Sequence, residues 1–234
     1  MIVYGRNPVR EALRGRRAVH EVWASPRAAR LEWLAGVDLT VVDEHALTQR
    51  AGSPEHQGVA ARADPYAYAD PGNLLAAPDP LLVALDQVAD PHNLGAVCRT
   101  AEVAGATGVV IPERRSAEVT AAVCKASAGA VEHLPVGRVR NLADFLAAAK
   151  EAGCWCYGAA ANAPTPYDRP DYRGGVVLVL GAEGKGLRPR VAAACDELVA
   201  LPVRGRIASL NVSAAAAALL YAILQRRAAL DTAP

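Results

Sequence analysis

Six short apolar runs punctuate the later part of the chain: Leu81–Leu85, Val109–Ile111, Leu134–Val136, Cys154–Tyr157, Val176–Leu180 and Leu198–Leu201. None alternates apolar with polar residues, as a strand with one wet face would. Strands that are apolar on both faces belong in a parallel sheet covered by helices on each side. Helical stretches lie between most of these runs, so the reading is an α/β fold. In open α/β sheets ligands sit beyond the carboxyl ends of the strands. The polar residues after each run are therefore where chemistry is to be sought.

The first 65 residues read as a separate, small α/β unit. Asn7-Pro8 followed by Val9, Ala12 and Leu13 predicts a helix ending near Gly15. Further expected elements are a strand at His20–Ala24, a helix at Arg27–Leu34, a strand at Leu39–Val42, a helix at Glu44–Ala51 and a strand at Gly58–Arg62. Residues 66–80, dense in Pro, Gly and Asp, read as a linker. Residues 81–234 make the second domain, and the division suits a 234-residue chain.

The formal net charge of +1 does not announce a nucleic-acid partner, but its distribution is uneven. Residues 1–30 hold seven arginines against Glu11 and Glu21, which suits a polyanion. A solvated, arginine-rich helix face is the plainer alternative. The five cysteines have no framework spacing, and Cys154 and Cys156 lie too close for a usual zinc pair. Reduced, mostly buried thiols and a cytoplasmic setting are expected. The opening Met-Ile-Val-Tyr-Gly-Arg lacks a secretory h-region, so no signal peptide is expected, and Val212–Leu224 is too short to span a membrane. No metal constellation is present.

Three stretches follow the apolar runs. After Leu81–Leu85 comes Asp86-Gln-Val-Ala-Asp-Pro-His-Asn-Leu-Gly-Ala-Val-Cys-Arg-Thr100, with a helix expected from near Asn93 to Ala104. Asn93 is a good cap residue, and capping alone would explain it. Arg99, set among Leu94, Val97, Ala101 and Ala104, is expected to be partly buried and in need of partners. After Val176–Leu180 comes Gly181-Ala-Glu-Gly-Lys-Gly-Leu-Arg-Pro189. Its glycines permit positive φ and close backbone approach. Their order is not G-x-G-x-x-G, and Lys185 is followed by Gly, so neither a dinucleotide fingerprint nor a Walker loop is present. After Leu198–Leu201 comes Pro202-Val-Arg-Gly-Arg-Ile-Ala-Ser-Leu-Asn-Val-Ser213, opening a long helix that is apolar nearly all round, as in a core or subunit interface. Ser209 or Asn211 would cap it, leaving the other for a different task.

Taken in order, these stretches resemble the SpoU/TrmH class of SPOUT RNA 2′-O-methyltransferases. The match is N-x5-R-T over Asn93–Thr100, L-G-x-E-x-x-G-L over Leu180–Leu187, and L-P with S-L-N-V-S-x-A-x-A over Leu201–Ala217. Tyr4-Gly5-x-Asn7-Pro8-Val9-x-Glu11-Ala12-Leu13 resembles the substrate-binding domain fused to many such enzymes, in the branch that modifies a guanosine of 23S rRNA. The resemblance implies a SPOUT fold with a C-terminal trefoil knot, a homodimer, and S-adenosylmethionine held by backbone around Gly181, Gly186, Leu201 and Leu210. It implies catalytic roles for Asn93, Arg99, Glu183, Ser209 and Asn211. Because a guanidinium stays protonated, Arg99 is expected to bind a phosphate and stabilise charge on the 2′-oxygen. Asn93, Ser209 and Asn211 would fix guanidinium and ribose, and Glu183 would orient Arg99 or a loop amide. Arg6, Asn7, Arg10 and also His20 are expected to contact RNA backbone. The alternatives are tRNA or another rRNA as substrate, or a non-catalytic RNA-binding protein of ribosome assembly.

Overall fold

The computed structural model describes residues 1–231. The N-terminal unit contains β1 (Ile2–Tyr4), α1 (Arg6–Arg14), β2 (Val19–Ala24), β3 (Thr40–Val41), α2 (Glu44–Ala51) and β4 (Val59–Ala63). Its sheet has the order β1-β4-β2-β3, with β4 antiparallel to both neighbours. Helix α1 starts at Arg6, before the expected Asn7-Pro8, with Gly5 at the cap position at φ +98°. The expected helix at 27–34 is two single 3₁₀ turns, Ala28–Arg30 and Glu32–Leu34. Leu31 between them is extended, so no continuous hydrogen-bond ladder forms.

Residues 66–80 do more than connect. Helix α3 (Pro71–Leu75) lies there, capped by Asp70, and Leu74 is buried with Leu82, Ala84 and Val110. The Tyr66 hydroxyl accepts the Val136 amide at 3.2 Å and that of Tyr68 accepts the Val119 amide at 2.9 Å. The segment is a strap laid along one end of the second sheet.

That sheet is built from β5 (Leu81–Asp86), β6 (Gly108–Pro112), β7 (Val136–Val139), β8 (Trp155–Ala159), β9 (Thr165–Pro166), β10 (Val176–Gly181) and β11 (Glu197–Ala200). Interleaved with them are α4 (Pro91–Val103), α5 (Ala121–Ala126), α6 (Leu142–Glu151), α7 (Pro189–Ala194) and α8 (Val212–Asp231). The order is β7-β6-β5-β10-β8-β11-β9, and every pair is parallel. All six residues of β5 are buried, as are five of the six in β10. A buried Leu or Val side chain contributes about 1.5–3 kcal/mol, so these central strands anchor the fold. After β11 the segment 201–211 returns to the ends of β5 and β10, where Asn211 bonds Asn93, and α8 packs on α4. This return of the tail is where the resemblance places the knot.

Helix α8 is buried on one face only: Val212, Ala216, Leu219, Leu220 and Ile223 face inward, while Ala214, Ala218 and Tyr221 are exposed. The expectation of an all-round buried helix therefore fails within one chain. In its first half the outer face is apolar, filled largely by alanines, and Gln225 and Arg226 are exposed further along. The two units are joined by Arg17, whose guanidinium pairs with the Glu132 carboxylate, both nearly inaccessible to solvent. Arg17 also lies 5.7 Å from the Tyr66 ring centroid. Burial alone would lower the Arg17 pKa, and the Glu132 carboxylate more than offsets this, leaving it above its ordinary value. No described helix is long and apolar enough to cross a membrane.

Candidate active site

Helix α4 begins two residues before Asn93. Asp90 caps it by accepting the His92 amide at 2.8 Å, with Pro91 in the first turn. Capping therefore does not account for Asn93, which is buried and turned toward two other loops. Its Nδ2 donates to Glu183 Oε1 at 3.1 Å, and its Oδ1 accepts from Asn211 Nδ2 at 2.9 Å. Asn211 Nδ2 also donates to Glu183 Oε1. The Oδ1 of Asn211 accepts from the Ser213 amide at 2.8 Å and its hydroxyl at 2.6 Å. One residue thus caps α8 with its oxygen and completes the cluster with its nitrogen. Two amide donors on one carboxylate make charge-assisted bonds, stronger than neutral ones, so three loops are tied at one point.

The loop carrying Glu183 is shaped by glycine and by a buried acid. A Cβ at Gly181 would stand 2.1 Å from the Gly186 carbonyl carbon, because the loop folds back on its own start. The close approach expected for a ligand is here made by the chain itself, with the Gly186 amide donating to Ala182 O at 2.9 Å. Gly184 and Gly186 have φ of +71° and +64°. Asp86, paired in register with Gly181, accepts the Arg188 amide at 2.8 Å and its Nε at 2.7 Å. Both ends of the loop are thereby fixed at Asp86, whose side chain is fully buried. Sequence reasoning passed over Asp86; its signal was an acid closing an otherwise apolar strand.

Of the five residues expected in catalysis, the structure brings Asn93, Glu183 and Asn211 together. Arg99 is exposed, not partly buried, and has no hydrogen-bond or ion-pair partner among the described residues. Six residues beyond Asn93 places it about 120° round the helix and roughly 9 Å along it. It shares the outer ridge with His92 and Val103, while Leu94, Val97 and Ala101 turn inward. Glu183 consequently orients amides, not Arg99. Ser209 is exposed and likewise unbonded among the described residues. Beside the cluster lies a cleft of about 510 Å³ lined by Asn93, Glu183, Ala182, Lys185, Gln87 and Arg115, among others. Gly181 and Gly186 form the hairpin behind it, Leu201 is half-buried and Leu210 exposed. Residues 201–210 make no hydrogen bond among themselves or to other described residues. Their backbone groups are free for a ligand.

In the N-terminal unit Arg6 and Asn7 are exposed, and the Asn7 side chain has no hydrogen bond among the described residues. The Arg6 Nε donates to Gln57 O at 3.3 Å. Arg10 pairs with Glu11 at 2.9 Å and His20 with Asp64 at 2.7 Å. Part of the basic excess of residues 1–30 is thus neutralised internally, by Glu11 for Arg10 and Arg14 and by Glu132 for Arg17. Among the described residues no group of three His, Cys, Asp or Glu could hold a metal ion.

Two known sequence families match the chain. The SpoU rRNA methylase family matches residues 80–221, and the RNA 2′-O ribose methyltransferase substrate-binding family matches residues 2–69. The chain belongs to the SpoU rRNA methylase family. Among SpoU relatives, YacO of Bacillus subtilis, assigned to the TrmH family of tRNA/rRNA methyltransferases, is 38% identical over 238 residues, covering 96% of this chain and 95% of YacO. An uncharacterized tRNA/rRNA methyltransferase of Synechocystis is 40% identical over 240 residues, covering 97% of this chain; the chain spans 62% of that protein's length. The SpoU methyltransferase AviRb of Streptomyces viridochromogenes, crystallised with AdoMet, superposes with a TM-score of 0.83 at 23% identity, covering 97% of this chain and 90% of AviRb. That superposition identifies the fold as the SPOUT fold of SpoU enzymes.

Proposed function

We propose that this protein transfers a methyl group from S-adenosylmethionine to a ribose 2′-hydroxyl in RNA, with a guanosine of 23S rRNA as the favoured target. The observation that carries the reading is the Asn93–Glu183–Asn211 cluster, assembled by three loops at the carboxyl edge of a parallel sheet. Support for the donor comes from the AdoMet held by AviRb and from the unbonded backbone of residues 201–210, which fits a ligand held through main-chain groups. Residues 1–65 are the RNA-binding part, 66–80 the connection and 81–234 the catalytic part, and the substrate-binding match at residues 2–69 supports this division.

When bound, S-adenosylmethionine supplies an electrophilic methyl group on a sulfonium. Backbone around Gly181, Gly186, Leu201 and Leu210 would hold it. Asn93 and Asn211, fixed by Glu183, would orient the ribose toward the donor. The 2′-hydroxyl is a weak nucleophile; as its oxygen bonded the methyl carbon, the methyl–sulfur bond would break to leave S-adenosylhomocysteine, and the hydroxyl proton would pass to water. Arg99, unpaired on the outer ridge of α4, binds a neighbouring phosphate and stabilises the developing charge. Ser209, exposed on the segment leading into α8, would contact the ribose. Arg6, Asn7 and Arg10 position the RNA backbone, carrying no sequence information of their own. The exposed apolar residues Val103 and Tyr221, on the packed pair α4 and α8, support a homodimer.

The test is incubation with methyl-labelled S-adenosylmethionine and unmodified 23S rRNA or bulk tRNA, followed by nucleoside analysis. Label in 2′-O-methylguanosine from 23S rRNA is the expected result. Label only in tRNA would keep the chemistry and move the substrate.

A further inference from the structure

The loop between β6 and α5 holds a cation that the Asn93–Glu183–Asn211 cluster does not use. Arg115 lines the same cleft as Asn93 and Glu183. It is exposed and has no hydrogen bond or ion pair among the described residues. Its backbone is left-handed, at φ +59°, a conformation unfavourable for any residue with a Cβ. Such a conformation persists only where the surroundings impose it. Here both following residues are fastened to one carbonyl: the Ala117 amide donates to Val88 O at 2.9 Å, and the Ser116 hydroxyl donates to it at 3.3 Å. Val88 belongs to the loop leading into α4, whose Gln87 is also left-handed, at φ +61°. Two loops, each with a non-glycine residue in a disfavoured conformation, are tied together at the mouth of the cleft. The result is a guanidinium held at the rim with nothing of its own chain to bind.

We propose that Arg115 binds a phosphate of the RNA beside the ribose presented to the cluster. The inference rests on the function proposed above. A guanidinium is a permanent cation whose fork matches phosphate oxygens. Lys185 lines the cleft from the facing loop, so the rims carry cations. The two carboxylates among the lining residues are already engaged, Asp90 with the His92 amide and Glu183 with two amides. A polynucleotide, with a phosphate at every residue, can meet both cationic rims while a neutral ribose meets the polar centre. A methyl donor has a single carboxylate and cannot.

The experiment compares wild-type protein with Arg115→Gly and Arg115→Lys, using a fluorescent transcript of large-subunit rRNA. Glycine removes the guanidinium and at the same time suits the left-handed backbone, so a loss of binding cannot be ascribed to misfolding. Arg115→Gly is expected to bind the RNA about tenfold more weakly, with the slope of log affinity against log salt reduced by about one. Its thermal unfolding temperature should not fall, and calorimetric affinity for S-adenosylhomocysteine should be unchanged. Arg115→Lys should restore the salt slope. Unchanged RNA affinity and slope in Arg115→Gly would overturn the inference while leaving the proposed function standing, provided the wild type methylates the transcript. A loss confined to S-adenosylhomocysteine would overturn it too, by assigning Arg115 to the donor. A wild type that methylates no RNA would remove both.

Discussion

Replacing Gly181 by alanine tests whether the shape of the 181–188 loop sets the rate of the reaction. A Cβ there would lie 2.1 Å from the Gly186 carbonyl carbon, 2.3 Å from its oxygen and 2.4 Å from the Leu187 nitrogen, where ordinary contact begins at 3.4 Å. Every one of these atoms is backbone, so no rotamer change relieves the overlap. The loop must shift by about 1 Å as a unit, carrying Glu183 away from Asn93 and Asn211. Overpacking of this kind costs about 1–3 kcal/mol, or roughly 2–12 °C in melting temperature for a chain of this size. A misplacement of about 1 Å near the reacting atoms costs on the order of 100-fold in rate. Gly184→Ala is the control, since nothing lies within 4 Å of its Cβ and only its φ of +71° is strained. That strain is about 1–2 kcal/mol, with little loss of rate. The assay is single-turnover methyl transfer at saturating S-adenosylmethionine and RNA, beside thermal unfolding. A Gly181→Ala enzyme as fast as wild type, or a slower Gly184→Ala enzyme, would refute the reasoning.

Three further outcomes are expected. Arg17→Met leaves the buried Glu132 carboxylate without its cation and should destabilise the protein by about 3–5 kcal/mol in denaturant unfolding, most of it recovered by adding Glu132→Leu; no recovery would contradict the pairing. Arg99→Ala should lower kcat about 100- to 1000-fold with little change in melting temperature, and Arg99→Lys should show no new basic limb in its pH–rate profile; near-wild-type activity with such a limb would make Arg99 the general base. Burial pushes the thiols of Cys98 and Cys156 up to about 12 from 9.0. Their contribution to stability is complete below pH 9 and is lost as pH rises through that interval, so the melting temperature should fall on the alkaline side. Rapid alkylation of these thiols in the native protein at pH 8 would contradict their burial.

The parallel sheet was legible because its strands are apolar on both faces, a pattern that survives without any knowledge of partners. Strand ends were less so: Leu134–Val136 was expected where β7 runs over Val136–Val139, because Gly137 and Arg138 break the apolar signal. The helix at 27–34 was misread because its periodicity does not reveal that Leu31 is extended. In the site, Asn93 was legible as a polar residue after a strand, yet its cap role went to Asp90, three residues earlier, which the Pro91 following it favours. The joint use of Asn211 as cap and cluster member was hidden, since local patterns show one bond per side chain. Asp86 and Arg115 owe their roles to loops that meet only in three dimensions. Arg99 was misjudged because apolar neighbours in sequence are not neighbours on a helix face.

The most direct measurement is where the transferred methyl group sits. After reaction with methyl-labelled S-adenosylmethionine, the RNA is hydrolysed completely in alkali, which cleaves each phosphodiester through its free 2′-hydroxyl. Label recovered in alkali-resistant dinucleotides, and absent when Asn93→Ala replaces the wild type, is the result expected of a ribose 2′-O-methyltransferase organised by this cluster. Label recovered in mononucleotides would mean methylation of a base and would contradict it.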